Sequence, residues 1–95
     1  MSLFRKFNLD DYATLAMQVN SQYKLEVCVT WRIEPKKVYK YYFPLTNIFR
    51  ALLRYKTAIK FYTTNLIPVH ITLNLVCDDL LDSKVIIEDY INQLY

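Results

Sequence analysis

The chain has no glycine at any of its 95 positions, and only three prolines. Glycine is the one residue that enters positive φ without a steric penalty, so tight turns must be built from something else. Pro35, Pro44, Pro68, Asn8, Asn65 and the Asp and Ser residues are the material at hand. The lack of glycine also excludes Gly-rich phosphate loops, both the P-loop and the dinucleotide-binding kind, and two large enzyme classes with them. No apolar run approaches the ~20 residues of a membrane span. The opening Met1-Ser2-Leu3-Phe4-Arg5-Lys6-Phe7 is broken by charge before a signal-peptide core can form. A soluble, intracellular protein with no membrane partner is therefore expected. Histidine occurs once, and Cys28 and Cys77 have neither a CxxC spacing nor a nearby His. Two free thiols are expected, with a disulfide open only if two strands bring the pair within reach. No metal and no cofactor are expected.

A chain of this length is expected to be one domain, residues 1–95. Its hydrophobic content of 54% is high for the size and points to apolar surface hidden in a second copy, a homodimer. Net charge is only +3, but it is unevenly spread. Nine basic residues face two acidic ones between Lys24 and Lys60, whereas five acids face Lys84 alone from Phe61 onward. A basic middle and an acidic end suit an anionic partner or head-to-tail contact between copies.

The clearest pattern is Lys24–Glu34. Leu25, Val27, Val29, Trp31 and Ile33 alternate with Lys24, Glu26, Cys28, Thr30, Arg32 and Glu34. A period of two predicts a strand with one face in a core. The turn is expected over Glu34–Lys37 and a second strand over Val38–Phe43. A three-residue loop would pair Ile33 with Tyr39, Trp31 with Tyr41 and Val29 with Phe43, apolar against apolar. That loop asks Lys37 to approach the left-handed region.

Before this hairpin, Asn8 with Asp10 and Asp11 signals the start of a helix over 9–20. After it, Thr46 is expected to cap a helix over 47–56. The apolar arc of that helix, Ile48, Phe49, Ala51, Leu52, Leu53 and Tyr55, is wider than one sheet contact needs. Either it is sandwiched or it meets a partner. A third strand is expected over Ala58–Thr64, a turn at Asn65–Pro68 and a fourth strand over Val69–Val76, pairing Phe61 with Ile71 and Tyr62 with His70. Asp78, Asp79, Asp82 and Ser83 read as caps of a last helix carrying Ile86, Ile87, Tyr90, Ile91 and Leu94. The fold expected is α+β: about four antiparallel strands from two hairpins and three helices, in the order α-ββ-α-ββ-α.

These registers would place Thr30, Arg32, Lys40, Tyr42, Lys60, Tyr62, His70 and Thr72 on the outward sheet face. Cations interleaved with tyrosines can bind a nucleic-acid strand, rings stacking on bases and cations meeting phosphates. Ordinary solvated strand residues, or a face covered by the first helix, would read the same way. Arg50 and Arg54, four apart on a helix, project together and could follow a phosphate backbone. The candidate nucleic-acid-binding residues are thus Arg32, Lys40, Tyr42, Arg50, Arg54, Lys60, Tyr62 and His70. His70 could act as an acid or base opposite Tyr62, but no nucleophile or ligand spacing supports it. Capping accounts for Asp78, Asp79 and Asp82 without a metal. A non-enzymatic binding module is expected, acting on nucleic acid. The alternative is an adaptor or inhibitor that docks a host protein through an apolar helix surface.

In composition, with many Tyr, Ile, Leu and Lys and no Gly, the chain resembles the small proteins of crenarchaeal rod-shaped viruses. The resemblance implies a thermostable protein in the cytoplasm of a hot-living archaeal host. A replication nuclease of those viruses carries two histidines flanking one apolar residue on a strand. Here His70 is followed by Ile71 and Thr72, so the second histidine is absent and the nuclease role is not carried over.

Overall fold

A computed structural model describes residues 23–77 and 83–92. The elements are β1 (Tyr23–Trp31), β2 (Val38–Pro44), a 3-10 turn (Leu45–Asn47), α1 (Ile48–Thr64), β3 (Val69–Cys77) and β4 (Ser83–Ile91). The four strands form one antiparallel sheet in the order β2-β1-β3-β4, with α1 packed on one face. The α+β class and the four-stranded antiparallel sheet are as the sequence predicts. The expected helix over 9–20 lies outside the described residues, as do the capping residues 78–82 and Leu94.

In β1, Leu25, Val27 and Val29 are buried against α1, and Trp31 is half-buried beside them. The hairpin partner faces the same way as expected, but the register differs by four residues along β2. Val29 lies opposite Tyr39, Val27 opposite Tyr41 and Leu25 opposite Phe43. An even shift leaves each side chain on its own face. The difference arises because β1 stops at Trp31, whose N–H donates to the Lys37 carbonyl at 2.8 Å, closing a longer turn. Lys37 is thereby spared a positive φ; among the described residues only Leu66 and Asn92 adopt one.

Two expected elements are corrected. The segment Ala58–Thr64 is helix, not a third strand. Ile48, Ala51, Leu52, Tyr55, Ala58 and Tyr62 are buried at spacings of three, four and seven, one unbroken helical stripe. No Gly or Pro interrupts it before Pro68, and the β-branched Thr57, Ile59 and Thr63 merely imitate alternation. Phe61 therefore does not pair with Ile71, nor Tyr62 with His70. Thr46 sits in the 3-10 turn, and Asn47 occupies the N-cap without a side-chain bond.

The segment from Ser83 is a strand, not a last helix. β4 pairs with β3, and the register shifts between Leu73 and Asn74, so that Ile87 opposes Leu73 and Val85 opposes Asn74. Ile86 is the extra residue of a β-bulge. One inserted residue puts Ile86 and Ile87 side by side in the pattern and makes a strand read with helical spacing.

The C-terminus of α1 shows how a chain without glycine turns. Leu66 N–H donates to Thr63 O at 3.4 Å and Ile67 N–H to Tyr62 O at 3.2 Å, with Leu66 at φ 55°. This is a Schellman closure with leucine at the position glycine usually holds. Asn92, also at φ 55°, donates its amide to Tyr62 O at 2.9 Å and Ile67 O at 3.1 Å, tying the end of β4 to the end of α1.

Under α1, the fully buried Tyr55 crosses β3. Its hydroxyl donates to Asp89 Oδ2 at 2.8 Å and lies 3.2 Å from Ile71 O. One proton serves both, and the shorter bond to the carboxylate is the stronger. Burial first, and Asp89 second, push the Tyr55 phenol well above its ordinary 10.0.

Tyr55→Phe is expected to lower unfolding free energy by about 1.5–3 kcal/mol in urea titration, the range for a bond to a charged group. Above pH 10 the unfolded phenol ionises while the folded one keeps its proton, so stability falls as pH rises there and is unaffected by this group below it. The variant should lose that alkaline slope; an identical slope would contradict the assignment. Leu66→Gly should raise stability by roughly 0.5–1 kcal/mol, because it removes a left-handed strain of about 1–2 kcal/mol at some entropic cost. A lower melting temperature would count against it.

Candidate functional site

The sheet face away from α1 can be read in rows. Val38, Thr30, His70 and Tyr90 align across it, then Lys40, Cys28, Thr72 and Glu88, then Tyr42, Glu26, Asn74 and Val85. The middle of this face is buried at Glu26, Thr72 and Asn74 and half-buried at Thr30, Cys28 and His70. Asn74 Nδ2 donates to Glu26 Oε1 at 3.1 Å and to Thr72 Oγ1 at 3.0 Å, and all three residues are buried. Only the margins are exposed, Val38, Lys40 and Tyr42 on β2 and Val85, Glu88 and Tyr90 on β4.

At these margins the cations lie against rings. Lys24 Nζ is 4.9 Å from the Tyr42 ring centre, and the Arg32 guanidinium is 5.2 Å from that of Tyr90. Tyr90 stacks on His70 at 4.2 Å, and His70 Nε2 meets Glu88 Oε1 at 2.7 Å. The Glu26 carboxylate, accepting the Tyr42 hydroxyl, is the main cause that raises that phenol above its usual range. Lys37 Nζ lies 4.7 Å over Trp31 in the turn.

The eight sequence-predicted residues do not share one surface. Arg32, Lys40, Tyr42 and His70 belong to the face just described. Lys60 and Tyr62 do not lie on the sheet, because the strand expected for them is the last two turns of α1. Lys60 is exposed, whereas Tyr62 is buried edge-on against Trp31 at 6.4 Å. Arg50 and Arg54 are also on α1, on the opposite side of the sheet from His70. Arg50 is exposed; Arg54 is half-buried, with its guanidinium 3.8 Å over the Tyr41 ring. The two cysteines are free: Cys28 lies opposite Thr72, five residues from Cys77 and on the other face.

The structure brings forward a different set. Phe49, Leu53 and Phe61 are 73%, 63% and 53% exposed along the outer side of α1. They stand at positions 1, 5 and 13 of one stripe, with exposed Thr57 completing the four-residue spacing. Soluble proteins seldom leave so many large apolar side chains on one line, and such a line marks an interaction surface. The width of the apolar arc in the helix expected over 47–56 already signals Phe49 and Leu53; Phe61 lies beyond that range, in the part of α1 that reads as a strand.

Beside the stripe, between α1 and β2, runs a groove of about 250 Å³. Buried Val29, Ala58 and Tyr62 line it together with Tyr41, Arg54 and Phe61. Arg54 lines it, and its Nε is buried without a hydrogen-bond acceptor. α1 itself carries Arg50, Arg54, Lys56 and Lys60 and no acid.

Such an arrangement can hold a partner by apolar contact and by charge. His70 is spoken for by Glu88 and Tyr90, and Tyr62, its expected partner, is elsewhere. Among the described residues there is no group of three or more His, Cys, Asp or Glu that could hold a metal, and no helix long and apolar enough to cross a membrane.

Phe49→Ser and Leu53→Ser are expected to change unfolding free energy by less than about 0.5 kcal/mol each, since they remove exposed groups. Leu52→Ser, buried next to them, should cost about 2–5 kcal/mol. Equal losses at Leu52 and Leu53 in thermal melts would mean that the stripe is structural. Comparison of the chain with family models, with curated proteins and with solved structures finds no match.

Proposed function

We propose that the chain is a non-enzymatic binding module that docks a partner protein on the outer face of α1. The exposed line Phe49, Leu53 and Phe61 carries this reading. Burying three such side chains is worth about 1.5–3 kcal/mol each, enough to anchor a complex. The flanking cations would select an acidic partner and reject a basic one. They also oppose α1-to-α1 pairing of two copies, because each brings four cations and no acid to the contact. If the compositional resemblance to viral proteins holds, the partner is a host factor.

A second reading is nucleic-acid binding, supported by one cluster. Arg32, Lys36 and Lys37 lie in the β1–β2 turn and Lys40 follows on β2, with the Tyr90 ring against Arg32. In this reading the buried middle of the sheet face takes no part, and a single strand follows the turn.

A photo-crosslinking residue placed at Leu53, and another at Lys40, separates the two. Protein docking predicts a cross-linked protein from Leu53 only, retained at high salt and lost in Phe49→Asp. Nucleic-acid binding predicts capture from Lys40, weakening with salt by a slope of about −0.7 per phosphate contacted on a single strand. No cross-link from Leu53 sinks the first reading. Sedimentation of the isolated chain tests the expected homodimer: a mass of twice 11.4 kDa that halves in Leu53→Asp would make the second copy the occupant of α1.

A further inference from the structure

We propose that the groove between α1 and β2 is the anchor point of this docking face. Its occupant is a carboxylate carried beside an aromatic or branched apolar group of the partner protein. The inference rests on the docking reading above and names the chemistry the partner must bring.

Size comes first. Sites for whole small-molecule ligands span roughly 300–1,000 Å³. A groove of about 250 Å³ holds one large side chain. Its walls are mostly apolar: Val29, Ala58 and Phe61, with the flat of Tyr41. An apolar group entering it removes its own surface and that of Phe61 from water.

Charge comes second. Arg54 is the one cation lining the groove among the described residues. Its guanidinium lies on Tyr41 at 3.8 Å, which fixes its plane before a ligand arrives. The Nε–H is buried and has no acceptor. A buried donor without a partner costs about 1–3 kcal/mol, and folded proteins rarely leave one so. α1 holds no acid to supply that acceptor, nor does β2. A guanidinium offers its Nε–H and one Nη–H side by side, the spacing of a carboxylate's two oxygens. The Nε–H is closed to water as the side chain stands, so a carboxylate would reach it with a small turn of the guanidinium over Tyr41, and would then satisfy the orphaned donor and neutralise the cation together. The exposed hydroxyl of Thr57 stands at the same groove as a further donor.

The other orphaned donor among the described residues, Trp31 Nε1, is not in the groove lining, so the inference concerns Arg54 alone.

Phenylacetate and its neutral isostere phenylacetamide are the probes, each titrated into the full chain and followed by nitrogen–proton NMR, in which the Arg54 Nε–H is itself observed. Phenylacetate is expected to move that signal downfield and to shift Tyr41, Thr57 and Phe61. Phenylacetamide should bind at least tenfold more weakly. Arg54→Lys, which keeps the charge and loses the fork, should weaken phenylacetate at least threefold, with Leu52 and Tyr55 signals unmoved as evidence of an intact fold. Equal binding of the two probes, or shifts mapping away from Arg54, overturns the proposal. If a protein cross-links at Leu53 yet Arg54→Gln captures it unchanged, the groove inference falls and the docking reading stands. Phenylacetate seated on Arg54 with no protein captured at Leu53 overturns the partner as occupant.

Discussion

Among the described residues one helix lies over four strands, and it is too narrow to cover them alone. A helix with its side chains is about 10–12 Å across. Four strands at 4.7–4.9 Å spacing extend over about 14–15 Å between their axes. α1 lies over the central pair, β1 and β3, whose Leu25, Val27, Val29, Val69, Ile71 and Leu73 are all buried. Something must then happen at each edge. On the β4 side the gap is closed: Tyr55 reaches Asp89, Ile87 is buried and Asn92 binds the end of α1. On the β2 side no described element closes it, and the groove beside Arg54 is what remains. The candidate site is thus a direct result of unequal coverage.

The same edge explains where the cations are. β2 turns half-exposed rings outward on both faces, and a long basic side chain covers a ring while keeping its charge in water. Arg54 on Tyr41 and Lys24 on Tyr42 flank the strand from its two sides, with Lys37 on Trp31 at its start. Energetically significant contacts of this kind occur about once per 70–80 residues, so four within one small sheet are a compositional habit of this chain.

Strands whose neighbours are regular were legible in the sequence. The alternation of Leu25, Val27 and Val29 reports a buried face directly, and β3 is nearly as clear. The errors fall where another signal overrode the period. The bulge at Ile86 moved β4 out of alternation and into a false helical spacing. The β-branched residues near the end of α1 imitated a strand, although the burial of Tyr55, Ala58 and Tyr62 shows an unbroken helical stripe. That second error carried Lys60 and Tyr62 onto a surface where they do not lie. It hid Phe61 from the apolar line that is now the leading candidate.

By itself the sequence determined which side of β1, β2 and β3 is greasy, where the positive charge concentrates and that glycine-dependent nucleotide loops are excluded. These follow from residue type and spacing alone, and an even register shift cannot disturb them. Only the tertiary structure decided which apolar residues of α1 are left over, that Arg54 meets no acid among the described residues, and that the middle of the opposite sheet face is buried or half-buried. Those depend on how far a helix of fixed width can cover a sheet of fixed spacing, a comparison between elements that no single stretch of sequence contains.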